Sequence, residues 1–236
     1  MRKTLRKFVF SSMERGSRKP TGAIDKRLRN IWAIWNNVHD EDVGIEKITR
    51  LFLAASQFFF PGIYIKQIFG RYGIDIQYLS MDVYILLKVL FPLSLLYYSW
   101  IDSPFVMVAV LWFMAETVLY VPTLIFASDG FSRPSSYRRS MLLLFFNYLE
   151  IIFAYAFIYS KGDYLNMPLK EWYDPIYFSF TTISTIGFGE YYPTTGMGKF
   201  LVCTQSLIFL TFVVLFINFI SGKVESRGYF DHNNKE

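Results

Sequence analysis

The sequence contains one cysteine and two histidines among 236 residues, and each scarcity argues against a class of site. The lone cysteine, Cys203, has no internal partner for a disulfide. The histidines, His39 and His232, lie in polar segments far apart in the chain. No spacing of metal ligands and no nucleophile–base motif accompanies them. The sequence therefore predicts a protein that is not an enzyme, with no resident cofactor and no nucleic-acid partner.

Charge is also scarce, since 18% of the residues are charged and 53% are hydrophobic, whereas soluble domains have about 25% charged residues. The apolar residues form four long blocks, each near the length that crosses a hydrocarbon core of about 30 Å. In lipid, such segments must be helical because no water satisfies free backbone groups. The pattern predicts an all-α, multi-pass membrane protein with spans at residues 83–101, 105–127, 140–159 and 199–221.

The region 1–80 is basic, with 14 Lys and Arg against 7 Asp and Glu. The loop 128–139 is basic as well, and four spans place both on one side, which the positive-inside rule identifies as cytoplasmic. Within 1–80, the apolar run 51–65 is shorter than a span and is interrupted by Pro61 and Gly62. We interpret that run as an interfacial or re-entrant helix, because a fifth span would move the basic terminus outside.

Residues 81–128 form a predicted two-helix membrane hairpin that lacks periodic basic residues. Its two apolar blocks contain a single one, Lys88, whereas a voltage-sensing helix carries Arg or Lys at every third position. Strong voltage dependence is therefore not expected. A lone charge in hydrocarbon is costly, so Lys88 and Glu116 are predicted to pair, and Glu150 in the third span also needs a partner.

Between the third and fourth spans lie about 39 residues that are not predicted to span the membrane. They include the run from Thr181 to Glu190. A K⁺-selective pore must replace the hydration shell of the ion with oxygens, and a ring of backbone carbonyls does so. Successive carbonyls face one axis only if some residues adopt unusual dihedrals, which glycine permits. The predicted ion-binding (K⁺) residues are Thr185, Ile186, Gly187, Phe188 and Gly189.

This run resembles the selectivity filter of the P-loop potassium channel family, whose pattern is Thr-x-x-Thr-x-Gly-(Tyr or Phe)-Gly-(Asp or Glu). The resemblance covers residues 138–222 and implies a pore domain of outer helix, pore helix, filter and inner helix. It implies a homotetramer of identical subunits that conducts K⁺. The rarer family variants Phe188 and Glu190 leave the rigidity of the filter open. The predicted filter supports are Thr181, Thr182, Tyr177, Phe178 and Glu190.

The inner helix is predicted without a glycine or proline hinge across residues 199–221. Polar residues recur there every seven positions, so they share one face. Such residues line a water-filled cavity or bond to a neighbouring helix. The cavity-lining candidates are Thr204, Thr211 and Asn218. A short cytoplasmic tail, 223–236, follows.

Other hypotheses remain at this point: a non-selective cation channel, a non-conducting regulatory subunit, and a subunit of a potassium-uptake transporter. The transporter class carries four pore loops in one chain, and this chain has one. The expected partners are K⁺, membrane lipids and identical subunits. The expected location is the cell membrane, with both termini cytoplasmic.

Overall fold

The structure is a computed structural model that describes residues 22–36, 38, 44–98, 103–126 and 137–225. The described residues fold almost entirely into α-helices, joined by short links. The basic stretch before residue 22, the loop 127–136 and residues 226–236 of the predicted tail lie outside the described residues. The helices are α1 (Ala23–Trp35), α2 (Gly44–Ser56), α3 (Pro61–Gly70), α4 (Ile74–Tyr97), α5 (Pro104–Phe126), α6 (Tyr137–Tyr159), α7 (Asp174–Ile183) and α8 (Gly196–Glu225).

Four of these helices, α4, α5, α6 and α8, are long and apolar enough to cross a membrane, and the chain is a multi-pass membrane protein. Helix α4 begins nine residues before the predicted span. Its first turns carry polar groups that find partners there. The Gln77 amide donates to the Lys66 carbonyl at 2.9 Å, and Asp82 pairs with Arg139 at the start of α6. Satisfied polar groups let the helix extend beyond its apolar block.

Helices α2 and α3, joined by the short helix Gln57–Phe59, form a pair bent by 69° and together are apolar enough to span. The bend falls where Pro61 opens α3, a position at which its missing N–H costs nothing. The amide of the next residue, Gly62, donates to Glu116 at 3.1 Å. Phe60 packs edge-on against Trp112, with ring centroids 5.9 Å apart. Glu116 and Trp112 lie midway along α5, so the bend reaches the middle level of that span.

A buried ion cluster joins three of the spans. The Lys88 ammonium on α4 lies 3.5 Å from Glu116 on α5 and 3.2 Å from Glu150 on α6. It also donates to the Thr117 hydroxyl at 2.6 Å, which in turn donates to Glu150 at 2.8 Å. The predicted pair of Lys88 and Glu116 is confirmed, and Glu150 is its third member. The Tyr84 hydroxyl donates to Glu116 as well.

Helix α6 lies at the centre of the molecule and is the most buried of the four spans. It contacts α4, α5, α7 and α8. Its Ile151, Ile152 and Tyr155 belong to an apolar core that also takes side chains from α7 and α8. This core fixes the short helix α7 between two spans, and it positions the loop that follows.

Candidate functional site: an ion pore

Helix α7, the predicted pore helix, is ten residues long, which gives about 15 Å at 1.5 Å per residue. It is too short to cross a membrane, and it lies between α6 and α8 in both sequence and space. Pro175 occupies its first turn, and no side-chain cap bond forms at its N-terminus.

The Asp174 carboxylate instead folds back on the preceding turn. It accepts the backbone N–H groups of Lys170 and Glu171, both at 2.9 Å. Burial raises the pKa of this carboxyl. These two bonds, a hydrogen bond from the Tyr191 hydroxyl and the charge of Lys170 lower it by more, so the net pKa lies below its usual value. Tyr191 follows the predicted filter, so this carboxylate ties the approach to α7 to the chain beyond the filter.

The loop after α7 has a backbone of alternating handedness. Thr185, Gly187 and Gly189 have φ angles of +59°, +56° and +81°, whereas the residues between them, Ile186 and Phe188, have negative φ. A positive φ at a β-branched residue such as Thr185 is rare and strained, and such strain clusters at functional sites. When the handedness alternates in this way, successive carbonyls lie on one side of the chain, whereas along a β-strand they alternate.

The amides of this loop turn back to α7. The N–H groups of Ile186 and Gly187 donate to the Thr181 carbonyl at 3.1 and 3.3 Å, and that of Thr185 donates to Thr182 at 3.2 Å. By contrast, no residue in the described part of the chain donates to a carbonyl oxygen of residues 185–189. The first three amides of the loop are thus hydrogen-bonded to α7. The carbonyl oxygens form a row of free acceptors, the groups that a dehydrated cation needs. The acceptors of these bonds are the carbonyls of Thr181 and Thr182, two of the residues predicted to support a filter.

The side chains of the loop lie against the pore helix at one point. The Phe188 ring stacks on Tyr177 of α7, with 6.2 Å between centroids and 5° between planes. The other aromatic predicted beside the filter, Phe178, is placed elsewhere, in the core, 4.7 Å from the Tyr159 ring. The Glu190 side chain is exposed. The structure thus brings Tyr177 to residues 185–189, the predicted filter and hereafter the filter loop, and directs Phe178 towards α6.

A fully buried polar network, absent from the sequence predictions, locks α7 between the two spans. Gln205 of α8 accepts the Tyr159 hydroxyl at 2.9 Å. Its amide donates to the Ser179 carbonyl at 3.1 Å and to the Ser179 hydroxyl at 2.8 Å, and that hydroxyl donates to the Ile152 carbonyl at 2.7 Å. Every member is paired, so the network holds all three helices in one register. The only sequence signal was a glutamine within an apolar span.

Replacing Gln205 with leucine is expected to destabilise the fold by about 2–4 kcal/mol, because it leaves the buried Tyr159 and Ser179 groups with fewer partners, at about 1–3 kcal/mol each. Unfolding in mixed micelles measures the change, and a double-mutant cycle with Ser179→Ala isolates the coupling between the two side chains. Ser206→Ala is the matched control, since among the described residues Ser206 bonds only to the Val202 carbonyl of its own helix. Equal losses in Q205L and S206A would contradict the network's role.

The three residues predicted to line a cavity have different surroundings. Thr204 accepts the Tyr155 hydroxyl of α6 at 2.9 Å, so it bonds to a neighbouring helix. Thr211 donates to the Leu207 carbonyl of its own helix at 3.2 Å, and Asn218 is exposed. The face of α8 that no other part of the described chain covers is instead largely apolar, comprising Cys203, Leu207, Leu210, Val214 and Ile217.

Two spans that enclose a short helix and a loop of free carbonyls are the ground plan of an ion channel pore domain. Residues 142–226 match the family model described as "Ion channel" (Ion_trans_2). Residues 142–226 are therefore an ion channel pore domain of that family. No curated protein and no solved structure matches the chain.

Proposed function

We propose that this protein is one subunit of a homotetrameric, potassium-selective channel. The observation that carries the proposal is the loop 185–189, where positive φ angles alternate and the carbonyl oxygens accept no hydrogen bond from any described residue. Dehydration of K⁺ costs free energy that a ring of such oxygens repays. The Thr185 hydroxyl adds an oxygen at the inner end. The motif's resemblance to potassium channel filters favours K⁺ among cations.

The proposal requires four copies, because one chain supplies one strand and a ring needs several. Exposed apolar side chains support such assembly. Leu207, Leu210 and Ile217 of α8 are each more than half exposed, and Phe180 of α7 is 45% exposed. In the tetramer these residues face neighbouring subunits or the central cavity. Neighbouring copies also surround the filter loop, whose residues are exposed in one chain.

Helix α1 and the first turns of α2 are proposed to lie at the cytoplasmic membrane surface, in contact with lipid, whereas the bend between α2 and α3 enters the membrane beside α5. Leu28, Trp32 and Trp35 form an exposed stripe along α1, spaced by four and three residues as on one helix face. Ile45, Ile48 and Phe52 repeat the pattern on α2. Tryptophan is enriched at membrane interfaces. The excess of basic residues in 1–80 supports cytoplasmic termini under the positive-inside rule.

Gating is proposed to have weak voltage dependence. Lys88, the one basic residue within α4 and α5, is 5% exposed and lies within 3.5 Å of two carboxylates. A cation held in this way does not move through the membrane field without separating from both partners. The charge that voltage sensing requires is therefore not provided by these helices.

Purified protein in liposomes tests the proposal. We expect K⁺ flux to exceed Na⁺ flux by at least about a hundredfold, Ba²⁺ to block it, and cross-linking to stop at four subunits. Equal K⁺ and Na⁺ fluxes would identify a non-selective cation channel. Absence of any flux from a pure homo-oligomer would identify a regulatory subunit. A monomeric protein would instead favour the hypothesis of a potassium-uptake transporter subunit.

A further inference from the structure

The outer end of the filter loop lacks two side-chain anchors. Phe188 has no hydroxyl, so its contact with Tyr177 is a ring stack without a hydrogen bond. The Glu190 carboxylate is exposed and forms no hydrogen bond or ion pair with any residue that the structure describes. The chain from Gly189 onwards must therefore be held by other contacts, because a glycine-rich strand of strained backbone does not keep its shape alone.

The loop that follows α6 supplies those contacts. Leu165 and Pro193 form an antiparallel bridge between this loop and the chain after the filter. On one side of the bridge, the Asn166 N–H donates to the Tyr192 carbonyl at 3.0 Å. On the other, the Thr194 N–H donates to the Tyr164 carbonyl at 3.0 Å. The two segments are thus paired as a short two-stranded ribbon.

The Asn166 side chain extends this pairing towards the filter. Its Oδ1 accepts the Tyr192 N–H at 2.9 Å, and its Nδ2 donates to the Glu190 carbonyl at 3.0 Å. Glu190 is the residue directly after Gly189, so this bond fixes the orientation of the first peptide beyond the five filter residues. The side chain makes both bonds at once because a carboxamide carries an acceptor oxygen and a donor nitrogen on the same carbon.

The ribbon is itself held against the start of α8. A Cβ atom at Gly198 would lie 2.7 Å from the Tyr164 carbonyl oxygen and 3.2 Å from the Pro193 Cβ. Only a glycine permits this close approach. The hydrogen bond between Tyr191 and Asp174 fixes the same segment to the turn before α7. These contacts hold the backbone around Asn166 in place. Its side chain therefore stays in position to bond the Glu190 carbonyl and the Tyr192 N–H.

We propose that Asn166 is a positioning residue for ion selection: it holds the peptide between Glu190 and Tyr191, and thereby the adjoining peptide whose Gly189 carbonyl is directed at the ion path. This inference rests on the proposed function. When the two side-chain bonds are lost, the peptide between Glu190 and Tyr191 rotates and the outer ion site is lost. The conducting filter then collapses soonest at low external K⁺, because bound K⁺ otherwise props the carbonyls apart.

Single-channel and macroscopic currents of Asn166→Leu and Asn166→Asp test the role. Leucine has a similar volume and removes both bonds. Aspartate keeps the acceptor for the Tyr192 N–H and loses the donor to the Glu190 carbonyl. We expect currents of N166L at low external K⁺ to decay about tenfold faster than in the wild type, a change equivalent to about 1.4 kcal/mol. N166D should decay at an intermediate rate, and high external K⁺ should slow both.

The neighbouring exchange Met167→Leu is the matched control, since Met167 is 40% exposed, and it should leave the decay unchanged. A purely structural role of Asn166 would lower tetramer yield without changing decay or the ratio of K⁺ to Na⁺ permeability. A K⁺-selective wild type with an N166L variant of identical decay and selectivity overturns the role of Asn166 alone. A wild type that passes Na⁺ as readily as K⁺ overturns the proposed function, and this role with it.

Discussion

Replacing Gly187 with alanine is expected to reduce K⁺ flux at least about a hundredfold. Gly187 has a φ of +56°, and an alanine in that left-handed region costs about 1–2 kcal/mol. In a ring of four the cost is about 4–8 kcal/mol, and each 1.4 kcal/mol shifts the population of the conducting backbone tenfold. K⁺ flux into liposomes, normalised to tetramer content, measures the effect.

The structure also provides a matched control for this experiment. Among the residues that the structure describes, a Cβ at Gly187 meets no atom within 4 Å, and neither does one at Gly196, the first residue of α8. Gly196 has no positive φ, so Gly196→Ala adds the same methyl without backbone strain and should conduct like the wild type. Normal K⁺ flux in Gly187→Ala would show that the left-handed backbone at this position is not required for conduction.

Replacing Lys88 with methionine is expected to cost about 3–5 kcal/mol of folding free energy. The substitution leaves Glu116 and Glu150 facing each other in a buried site. Removal of one partner of a buried ion pair costs about 3–5 kcal/mol, because the remaining charge is uncompensated. Thermal or denaturant unfolding in mixed micelles measures the loss, and Trp112 near the cluster offers a fluorescence signal.

Two comparisons separate loss of the cation from loss of packing. The triple variant K88M/E116Q/E150Q should recover most of the stability, because no unpaired charge remains. Lys199→Met removes an exposed lysine and should have an effect below about 1 kcal/mol. If K88M were as stable as Lys199→Met, the cluster would not hold the three spans together. Because Gly62 also donates to Glu116, the same variant should loosen the bend between α2 and α3.

The four spans were predictable because a hydrocarbon environment imposes local rules on a segment that crosses it. A segment in hydrocarbon must be apolar, helical and about 20 residues long, and all three properties can be read along the chain. The predicted and observed spans differ mainly at α4, where polar partners let the helix start at Ile74. The proposed filter was recognisable in the sequence from its two glycines, Gly187 and Gly189, which both have a positive φ in the structure. Positive φ at Thr185 carried no such signal, since only the fold imposes it on a β-branched residue.

The direction in which a helix faces was not predictable in the same way. The seven-residue spacing of Thr204, Thr211 and Asn218 placed them on one face, but spacing does not reveal what that face meets. The structure pairs Thr204 with Tyr155 of α6. Gln205, one residue further along, proved to be the centre of the network around α7. Successive residues lie about 100° apart around the axis of an α-helix. The orientation of α8 about its axis therefore decides whether Thr204 or Gln205 faces α7, and tertiary packing sets that orientation.

The sequence by itself determined that this chain spans a membrane, because length and apolarity in hydrocarbon are local constraints, and its resemblance to potassium channels predicted the pore domain. Only the tertiary structure decided which groups support that loop. Asn166 lies 24 residues before Glu190, and Lys88 lies 62 residues before Glu150, so each contact depends on how distant segments pack. Such pairing leaves no local pattern, since a polar residue satisfies its hydrogen bonds with whichever partner the fold brings near.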